Sequence, residues 1–153
     1  MGRQITRNCR FSKILNAPLR FVYSWCTDYR EDDHKITGSN SRRLIIEKTK
    51  RRTVYVTQQQ GSRRVTSVGI VTLHPPNSWQ FSSISRSKSI VGQTIETGKY
   101  HLKKIGPRKT KLEIVFNLKR SVGASAKIEL LNHLNEIWEK YAAALEKDYC
   151  RKS

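Results

Sequence analysis

The densest cluster of chemically active side chains lies in residues 28–34, where Asp28, Glu31, Asp32 and Asp33 precede His34. Carboxylates and an imidazole close together could bind a metal ion or form an acid–base pair. Adjacent acids on a short exposed helix more commonly face solvent or pair with arginine, which is abundant in this chain. We therefore interpret the cluster as a charged surface feature, and we predict no metal site and no cofactor.

The other catalytic residue types stand too far apart to form a known motif. His74, His101 and His133 show neither HExxH nor HxH spacing. The sequence has no glycine-rich phosphate loop, no GxSxG elbow and no cysteine–histidine nucleophile context. An enzyme built from this chain would need a pocket that positions a reactive substrate beside one proton-transferring group. Glu96 and Tyr100 are the candidates for that group, although the sequence favours a role that is not enzymatic.

Aromatic side chains recur at positions that a sheet and a helix would bring together. They could line a cavity in which phenol hydroxyls fix the polar end of a ligand. They could equally pack against one another as an ordinary core, which is the commoner fate of aromatic residues at structural periods. The predicted ligand-binding residues are Tyr55, Phe81, Tyr100, Leu102, Ile114, Phe116, Leu134, Trp138 and Tyr141.

The net charge of +18 is the unusual feature of the composition. Residues 121–153 contain five basic and five acidic residues, so the whole excess belongs to residues 1–120. Such a charge attracts polyanions, or it serves only to keep the protein in solution. The residues predicted to contact an anionic partner lie at strand ends and turns: Arg42, Arg43, Lys50, Arg51, Arg52, Arg63, Arg64, Lys103, Lys104, Arg108 and Lys109.

Two kinds of anionic partner fit these basic clusters. Nucleic acid is not favoured, because few exposed aromatic residues are interleaved with the charges. Transient contact with an anionic membrane suits the same residues, since each base near the surface contributes about 1 kcal/mol. No window approaches the roughly 18 consecutive apolar residues of a transmembrane helix.

The cysteines and the chain length predict the location and the domain organisation of the protein. Cys9, Cys26 and Cys150 are odd in number and scattered, and no CxxC motif occurs. They therefore indicate neither a disulfide framework nor a zinc site, and we expect a reducing, cytoplasmic location. We predict that residues 1–153 form one domain, because this length can bury a sufficient core without disulfides or metal.

The last long segment, residues 125–149, is predicted to be one amphipathic helix around which the other elements fold. Its apolar residues recur at spacings of three and four, which places them on one helical face. They are Ile128, Leu131, Leu134, Trp138, Tyr141, Leu145 and Tyr149. A helix with so broad an apolar face needs a large apolar partner.

The preceding residues provide that partner as an antiparallel sheet. A first strand is predicted within residues 4–15, followed by two short helices in residues 18–26 and 28–35. Alternating patterns and turn residues then predict strands at 44–48, 52–58, 65–73, 79–84, 93–105 and 110–118. A sheet with one apolar face needs a single cover, and the C-terminal helix is long enough to supply it.

Several short segments occur in an order and at separations that resemble a known superfamily. They are Phe11-Ser12-Lys13 leading into Asn16-Ala17-Pro18, Val22-Tyr23-Ser24-Trp25 with Thr27-Asp28-Tyr29, His74-Pro75-Pro76 before Trp79, Tyr100-His101-Leu102 before Gly106 and Thr110, and Trp138 with Leu145-Glu146 in the last helix. This arrangement resembles the START and birch-pollen-allergen-like (SRPBCC) superfamily, which includes polyketide cyclase/dehydrase and lipid-transport proteins.

The resemblance implies an α+β helix-grip fold, in which a curved antiparallel sheet of about seven strands wraps a long C-terminal helix, with two short helices after the first strand. It also implies a cavity that usually receives an apolar ligand, but it does not imply a particular reaction. We therefore expect binding or transport of a hydrophobic, lipid-like small molecule. The alternatives are a polyketide cyclase/dehydratase-like enzyme acting on an aromatic or polyketide precursor, and a non-enzymatic binder of nucleic acid or acidic protein through the basic sheet surface.

Overall fold

The computed structural model describes residues 8–85, 95–118 and 124–152, and within them the chain forms seven strands and three helices. In chain order these are β1 (Asn8–Leu15), α1 (Leu19–Cys26), α2 (His34–Thr37), β2 (Ser41–Lys48), β3 (Arg52–Gln59), β4 (Val65–His74), β5 (Ser78–Ser85), β6 (Ile95–Gly106), β7 (Lys109–Leu118) and α3 (Ala124–Lys152). The predicted order of one strand, two short helices, six strands and a long helix is confirmed.

All seven strands belong to one antiparallel sheet with the order β1-β7-β6-β5-β4-β3-β2. Strands β2 to β7 form a meander, and β1 pairs with β7. Side chains at paired positions share a face of the sheet. Phe11, Ile114, Tyr100 and Trp79 are paired in this way and form a row across four strands on the inner face.

Strand β7 shows most clearly why the inner face is apolar. Its buried residues alternate with more exposed ones along its whole length. Leu112, Ile114 and Phe116 point toward the core and are at most 2% exposed, whereas Lys111 and Glu113 point away from it. This period-two pattern confirms the predicted orientation of the strand.

Helix α3 covers the inner face with a stripe that differs from the predicted one at its start. The buried residues are Leu130, Leu134, Trp138, Ala142 and Leu145. The prediction for Ile128 is wrong, because this side chain is 61% exposed. Ile128 precedes Leu130 by two residues, which rotates it by about 200° around the helix and away from the sheet.

Polar contacts fix α3 against the N-terminal elements. The Glu146 carboxylate accepts a hydrogen bond from the backbone N–H of Asn16 at 3.0 Å, and Lys13 forms an ion pair with Glu139. The Nε1–H group of Trp25 donates to the carboxylate of Asp148 at 2.8 Å. These contacts hold the C-terminal half of α3 beside β1 and α1.

Gly69 is required by the close approach of an aromatic ring. It pairs with Tyr55 on the neighbouring strand, and a Cβ atom at Gly69 would overlap the Tyr55 ring. We expect Gly69→Ala to lower the free energy of unfolding by about 1–3 kcal/mol, because the ring would have to move out of its packed position. Urea denaturation measures this change.

Gly106→Ala is the matched control, because a Cβ atom there would lie 3.6 Å from its nearest neighbour, an ordinary contact distance. We expect this variant to change the free energy of unfolding by no more than about 0.5 kcal/mol. Equal destabilisation by the two substitutions would show that the Tyr55 ring does not depend on Gly69.

Candidate functional site

A cavity of about 240 Å³ lies between the inner face of the sheet, the segment that joins α1 to α2, and helix α3. We call it the aromatic cavity. Seven predicted ligand-binding residues line it: Tyr55, Phe81, Tyr100, Phe116, Leu134, Trp138 and Tyr141. Leu102 and Ile114 are fully buried in the core and are not among the lining residues. Leu102 lies two residues beyond Tyr100, toward the β6–β7 turn.

Seven further lining residues were not among the predicted ligand-binding residues: Trp25, Cys26, Tyr29, Asp33, Arg43, Trp79 and Ile137. Trp79 carried a usable signal, because it stands two residues before Phe81 on the same strand and therefore on the same face. Cys26, Tyr29 and Asp33 carried none, since they lie at or beyond the end of α1, where no regular period assigns a face.

The aromatic rings of the cavity wall hold one another in place. The rings of Trp79 and Tyr100 are stacked with centroids 4.9 Å apart and an angle of 7° between their planes. The rings of Tyr29 and Tyr55 are stacked at 5.9 Å. Trp79 Nε1 also donates a hydrogen bond to the Tyr29 hydroxyl at 3.1 Å, which joins the two stacks into one wall.

Tyr29 adopts a backbone conformation that is unfavourable for a residue with a Cβ atom. Its φ angle is +46°, in the left-handed region. Such a conformation costs about 1–3 kcal/mol and persists where surrounding contacts enforce it. Here the stack with Tyr55 and the hydrogen bond from Trp79 provide those contacts, and they aim the phenol into the cavity.

An ion pair of Arg43 and Asp33 forms the polar part of the wall. Arg43 Nη1 donates to Asp33 Oδ2 at 2.7 Å and to the carbonyl oxygen of Arg30 at 2.9 Å. Its guanidinium carbon lies 5.0 Å and 4.9 Å from the ring centroids of Tyr29 and Tyr55. Arg43 differs from the other predicted anion-contact residues, which are exposed, because its side chain is only 20% exposed. Its contact with an anionic partner stays a prediction.

The charge on Arg43 is retained despite its burial. Desolvation acts to lower its pKa, but the neighbouring Tyr55 and the Asp33 carboxylate outweigh it, so that the pKa is raised. The aromatic cavity therefore contains a permanent cation beside a paired carboxylate.

The phenols and the thiol of the cavity are held in their neutral forms. Burial raises the pKa of Tyr55 and Tyr141, and it raises the pKa of Tyr29 and Tyr100 strongly, because a phenolate would lose its hydration. Burial, with the nearby Asp33 carboxylate, likewise raises the pKa of the Cys26 thiol. The phenols can therefore donate hydrogen bonds to a ligand, but they are poorly suited to act as bases.

The structure describes the side chain of only one of the two catalytic candidates, Tyr100 and Glu96. Tyr100 lies in the cavity wall, where its neutral hydroxyl could donate a hydrogen bond or a proton but could not accept one as a phenolate. Glu96 belongs to β6, but its side chain lies outside the described part of the structure. The role proposed for either residue stays a prediction.

We expect the folded protein to lose stability when the pH rises above about 10. Tyrosines of the unfolded chain ionise near that pH, whereas burial holds the pKa of Tyr29, Tyr55, Tyr100 and Tyr141 higher in the folded protein. The folded state then binds more protons than the unfolded state. The contribution of these tyrosines to the free energy of unfolding is complete below about pH 10. Above that pH it falls by up to about 1.4 kcal/mol per pH unit for each tyrosine.

Tyrosinate absorbance, recorded with and without urea, together with urea unfolding at about pH 8 and about pH 11, measures this effect. Tyr100→Phe should reduce the loss of stability, because it removes one buried phenol. The expectation fails if the tyrosines ionise over the same pH range in the folded protein and in urea.

Two acids of the acidic cluster, Asp28 and Asp33, pair with basic side chains. Asp28 Oδ1 lies 2.8 Å from Lys48 Nζ, and Asp33 Oδ1 lies 3.1 Å from Arg30 Nε. Arg30 Nη1 also lies 3.7 Å from the carboxylate of Asp148 on α3. The interpretation of Asp28 and Asp33 as partners of basic residues is confirmed, while Asp33 has the additional position in the cavity wall.

The exposed basic residues divide between opposite ends of the sheet. Near the β2–β3 and β6–β7 turns lie Lys50, Arg51, Arg52, Lys103, Lys104, Arg108 and Lys109. At the other end lie Arg42, at the start of β2, and Arg63 and Arg64, in the β3–β4 turn. Arg52 is paired with Glu47, with both N···O distances at 3.0 Å. The predicted contact residues therefore form two separate surfaces.

None of the helices in residues 8–85, 95–118 and 124–152 is long and apolar enough to cross a membrane.

An open antiparallel sheet that packs against a long C-terminal helix, with a cavity between them, defines the helix-grip class of proteins. Zhui aromatase/cyclase from Streptomyces sp. R1128 has a similar structure, with a TM-score of 0.67 at 14% identity over 97% of this chain and 96% of that one. Ara h 8.0201 is similar with a TM-score of 0.64 at 12% identity, covering 93% of this chain and 99% of that one.

The di-domain ARO/CYC BexL from the BE-7585A biosynthetic pathway is also similar, with a TM-score of 0.58 at 12% identity. The match covers 93% of this chain and 50% of BexL, so this chain spans about half of that protein. No protein-family model and no curated protein matches the sequence. At these identities the likeness is one of fold, and it confirms the predicted helix-grip architecture.

Proposed function

We propose that this protein binds a hydrophobic, lipid-like small molecule in the aromatic cavity. The observation that carries the proposal is the cavity itself, about 240 Å³ in volume and lined mainly by aromatic and aliphatic side chains. Clefts of this composition, with a few fixed polar groups, are typical of small-molecule sites. The stacked rings preform the wall, which lowers the ordering cost of binding.

Intrinsic fluorescence offers a direct test, because Trp25, Trp79 and Trp138 all line the cavity and are the three tryptophans of the chain. A fatty acid, an isoprenoid alcohol and a quinone are added separately, and the emission and the melting temperature are recorded. A binder should shift the emission and raise the melting temperature, since ligands that bind only the folded state stabilise it. Native mass spectrometry of freshly purified protein detects a ligand that is already bound.

Ile137→Phe should weaken binding, because Ile137 lines the cavity and a larger ring there would occupy part of its volume. Ile128→Phe is the matched control on the exposed face of α3. The proposal fails if no probe alters the emission, no probe raises the melting temperature and no ligand co-purifies with the protein.

A second candidate is a polyketide cyclase/dehydratase-like enzyme that acts on an aromatic or polyketide precursor. The Arg43–Asp33 pair and the neutral phenols favour it, because a fixed cation and hydrogen-bond donors in a shielded cavity can stabilise an enolate. The similarity of the fold to Zhui aromatase/cyclase agrees with this candidate. Conversion of a linear poly-β-ketone, followed by mass spectrometry with Tyr100→Phe as a comparison, tests it. Turnover no faster than the uncatalysed reaction would exclude this substrate class.

We further propose that exposed bases at the ends of the sheet contact an anionic membrane transiently during ligand exchange. Each base near such a surface contributes about 1 kcal/mol. Sedimentation with phosphatidylserine vesicles, compared with phosphatidylcholine vesicles at low and high salt, tests this contact. Gel shifts with DNA and RNA under the same conditions test the alternative partner. Binding to nucleic acid but not to anionic vesicles would replace the membrane proposal.

A further inference from the structure

A polar cavity of about 470 Å³ adjoins the aromatic cavity. We call it the vestibule. Residues of α2, β2, β3 and α3 line it, and Asp33, Arg43, Tyr55, Ile137 and Tyr141 line both cavities. The two spaces therefore meet at a common wall that contains the Arg43–Asp33 pair.

The vestibule has an excess of positive charge. Its cationic side chains are Arg42, Arg43 and Lys140, and its carboxylates are Asp33 and Glu136. Asp33 already lies close to two guanidinium groups, at 2.7 Å from Arg43 and 3.1 Å from Arg30. Within the described residues, Arg42 takes part in no ion pair.

The surface beyond the vestibule extends the same charge. An outer depression is lined by His34, Lys35, Arg42 and Arg63, together with the Gln60 to Ser62 part of the β3–β4 turn. No carboxylate is among the described residues that line this depression. Positive charge thus increases from the apolar interior toward the solvent. This arrangement attracts an anion to the entrance of the vestibule.

From this juxtaposition we infer that the ligand is an amphipathic anion. Its apolar body occupies the aromatic cavity, and its carboxylate or phosphate head lies in the vestibule beside Arg43 and Lys140. The inference rests on the proposed function, which requires only that an apolar molecule bind. The head group adds charge-assisted hydrogen bonds, which are stronger than those of a neutral hydroxyl.

The wild-type protein provides the primary test with three probes that share one chain: decanol, decanoate and decyl phosphate. Tryptophan fluorescence titration at neutral pH gives each dissociation constant. We expect at least one anion to bind about tenfold more tightly than decanol, which corresponds to one charge-assisted contact. Raising the salt concentration from about 0.05 M to about 0.5 M should reduce this difference between the anion and decanol dissociation constants, since exposed charges are screened.

Each outcome has a distinct meaning. Equal binding of all three probes would overturn the anion inference and leave the proposed function intact. Binding of none would overturn the inference, whereas the proposed function fails only if the isoprenoid, quinone and co-purification tests are negative as well. A preference for decanoate or for decyl phosphate supports the inference and identifies the head group.

Two variants locate the recognition. Arg43→Gln should reduce the anion preference, which is the ratio of the decanol dissociation constant to the anion dissociation constant, to about onefold. Lys140→Gln changes an exposed side chain, so it should fold normally and reduce the preference at least about twofold. Arg51→Gln, exposed at the opposite end of the sheet, is the matched control and should leave the preference unchanged. An equal effect of Arg51→Gln and Lys140→Gln would contradict recognition in the vestibule.

Discussion

Replacing Trp79 by alanine is expected to lower the free energy of unfolding by about 3–5 kcal/mol. Trp79 is 2% exposed and stacks on Tyr100, and its edge meets the ring of Tyr23 at a centroid distance of 5.7 Å. The substitution removes these contacts, enlarges the adjoining cavity and deletes the hydrogen bond to Tyr29. Because small domains have only about 5–15 kcal/mol of stability, the loss should be visible as a large decrease in the urea midpoint.

Trp79→Phe separates packing from hydrogen bonding. A phenyl ring keeps much of the stacking on Tyr100 but cannot donate to the Tyr29 hydroxyl, so we expect a loss of roughly 1–2 kcal/mol. If Trp79→Ala costs no more than Trp79→Phe, the indole contributes through its hydrogen bond alone, and the cavity wall is not held by stacking. Circular dichroism and intrinsic fluorescence, the latter from the two remaining tryptophans, follow unfolding of both variants.

The regular elements follow from residue periods, because burial on one face imposes a repeat that the sequence displays. Strand β7 shows this plainly, with Leu112, Ile114 and Phe116 alternating with exposed residues. The start of α3 is less determined, since Ile128, Leu130 and Leu131 offer several apolar faces within four residues. Only the packing against the sheet selects Leu130, which is fully buried, and excludes Ile128.

The polar part of the candidate site could not be predicted in this way. Arg43 stands among exposed arginines in sequence, and no local pattern distinguishes it from Arg42. It is largely buried because strand β2 places it opposite Thr57, near Tyr55, while the irregular chain after α1 brings Asp33 and the ring of Tyr29 beside it. These contacts join residues that are distant in sequence, and they depend on a backbone with no repeating geometry.

Removing the Asp33 carboxylate is expected to cost more stability than removing its partner. Asp33 accepts hydrogen bonds from Arg43 Nη1, from Arg30 Nε and from the backbone N–H of Arg30, the last at 3.1 Å. Asp33→Ala leaves the Arg43 guanidinium largely buried without a carboxylate partner. We expect the free energy of unfolding to fall by roughly 2–4 kcal/mol. This value lies below the upper range for fully buried ion pairs because both side chains retain some exposure.

Arg43→Met should cost less, roughly 1–2 kcal/mol, because Asp33 keeps both contacts with Arg30 and the methionine fills part of the same volume. The double variant should lose less than the sum of the two single losses, since the buried cation that Asp33→Ala leaves unpaired is absent. Urea denaturation of the four proteins in this cycle gives the coupling free energy. Additive losses would show that the ion pair does not stabilise this wall of the cavity. A greater loss from Arg43→Met than from Asp33→Ala would show that Arg43 stabilises the wall mainly through its other contacts, with the Arg30 carbonyl and the rings of Tyr29 and Tyr55. The role of Arg43 in the preference for anionic probes would then rest on the ligand titrations alone.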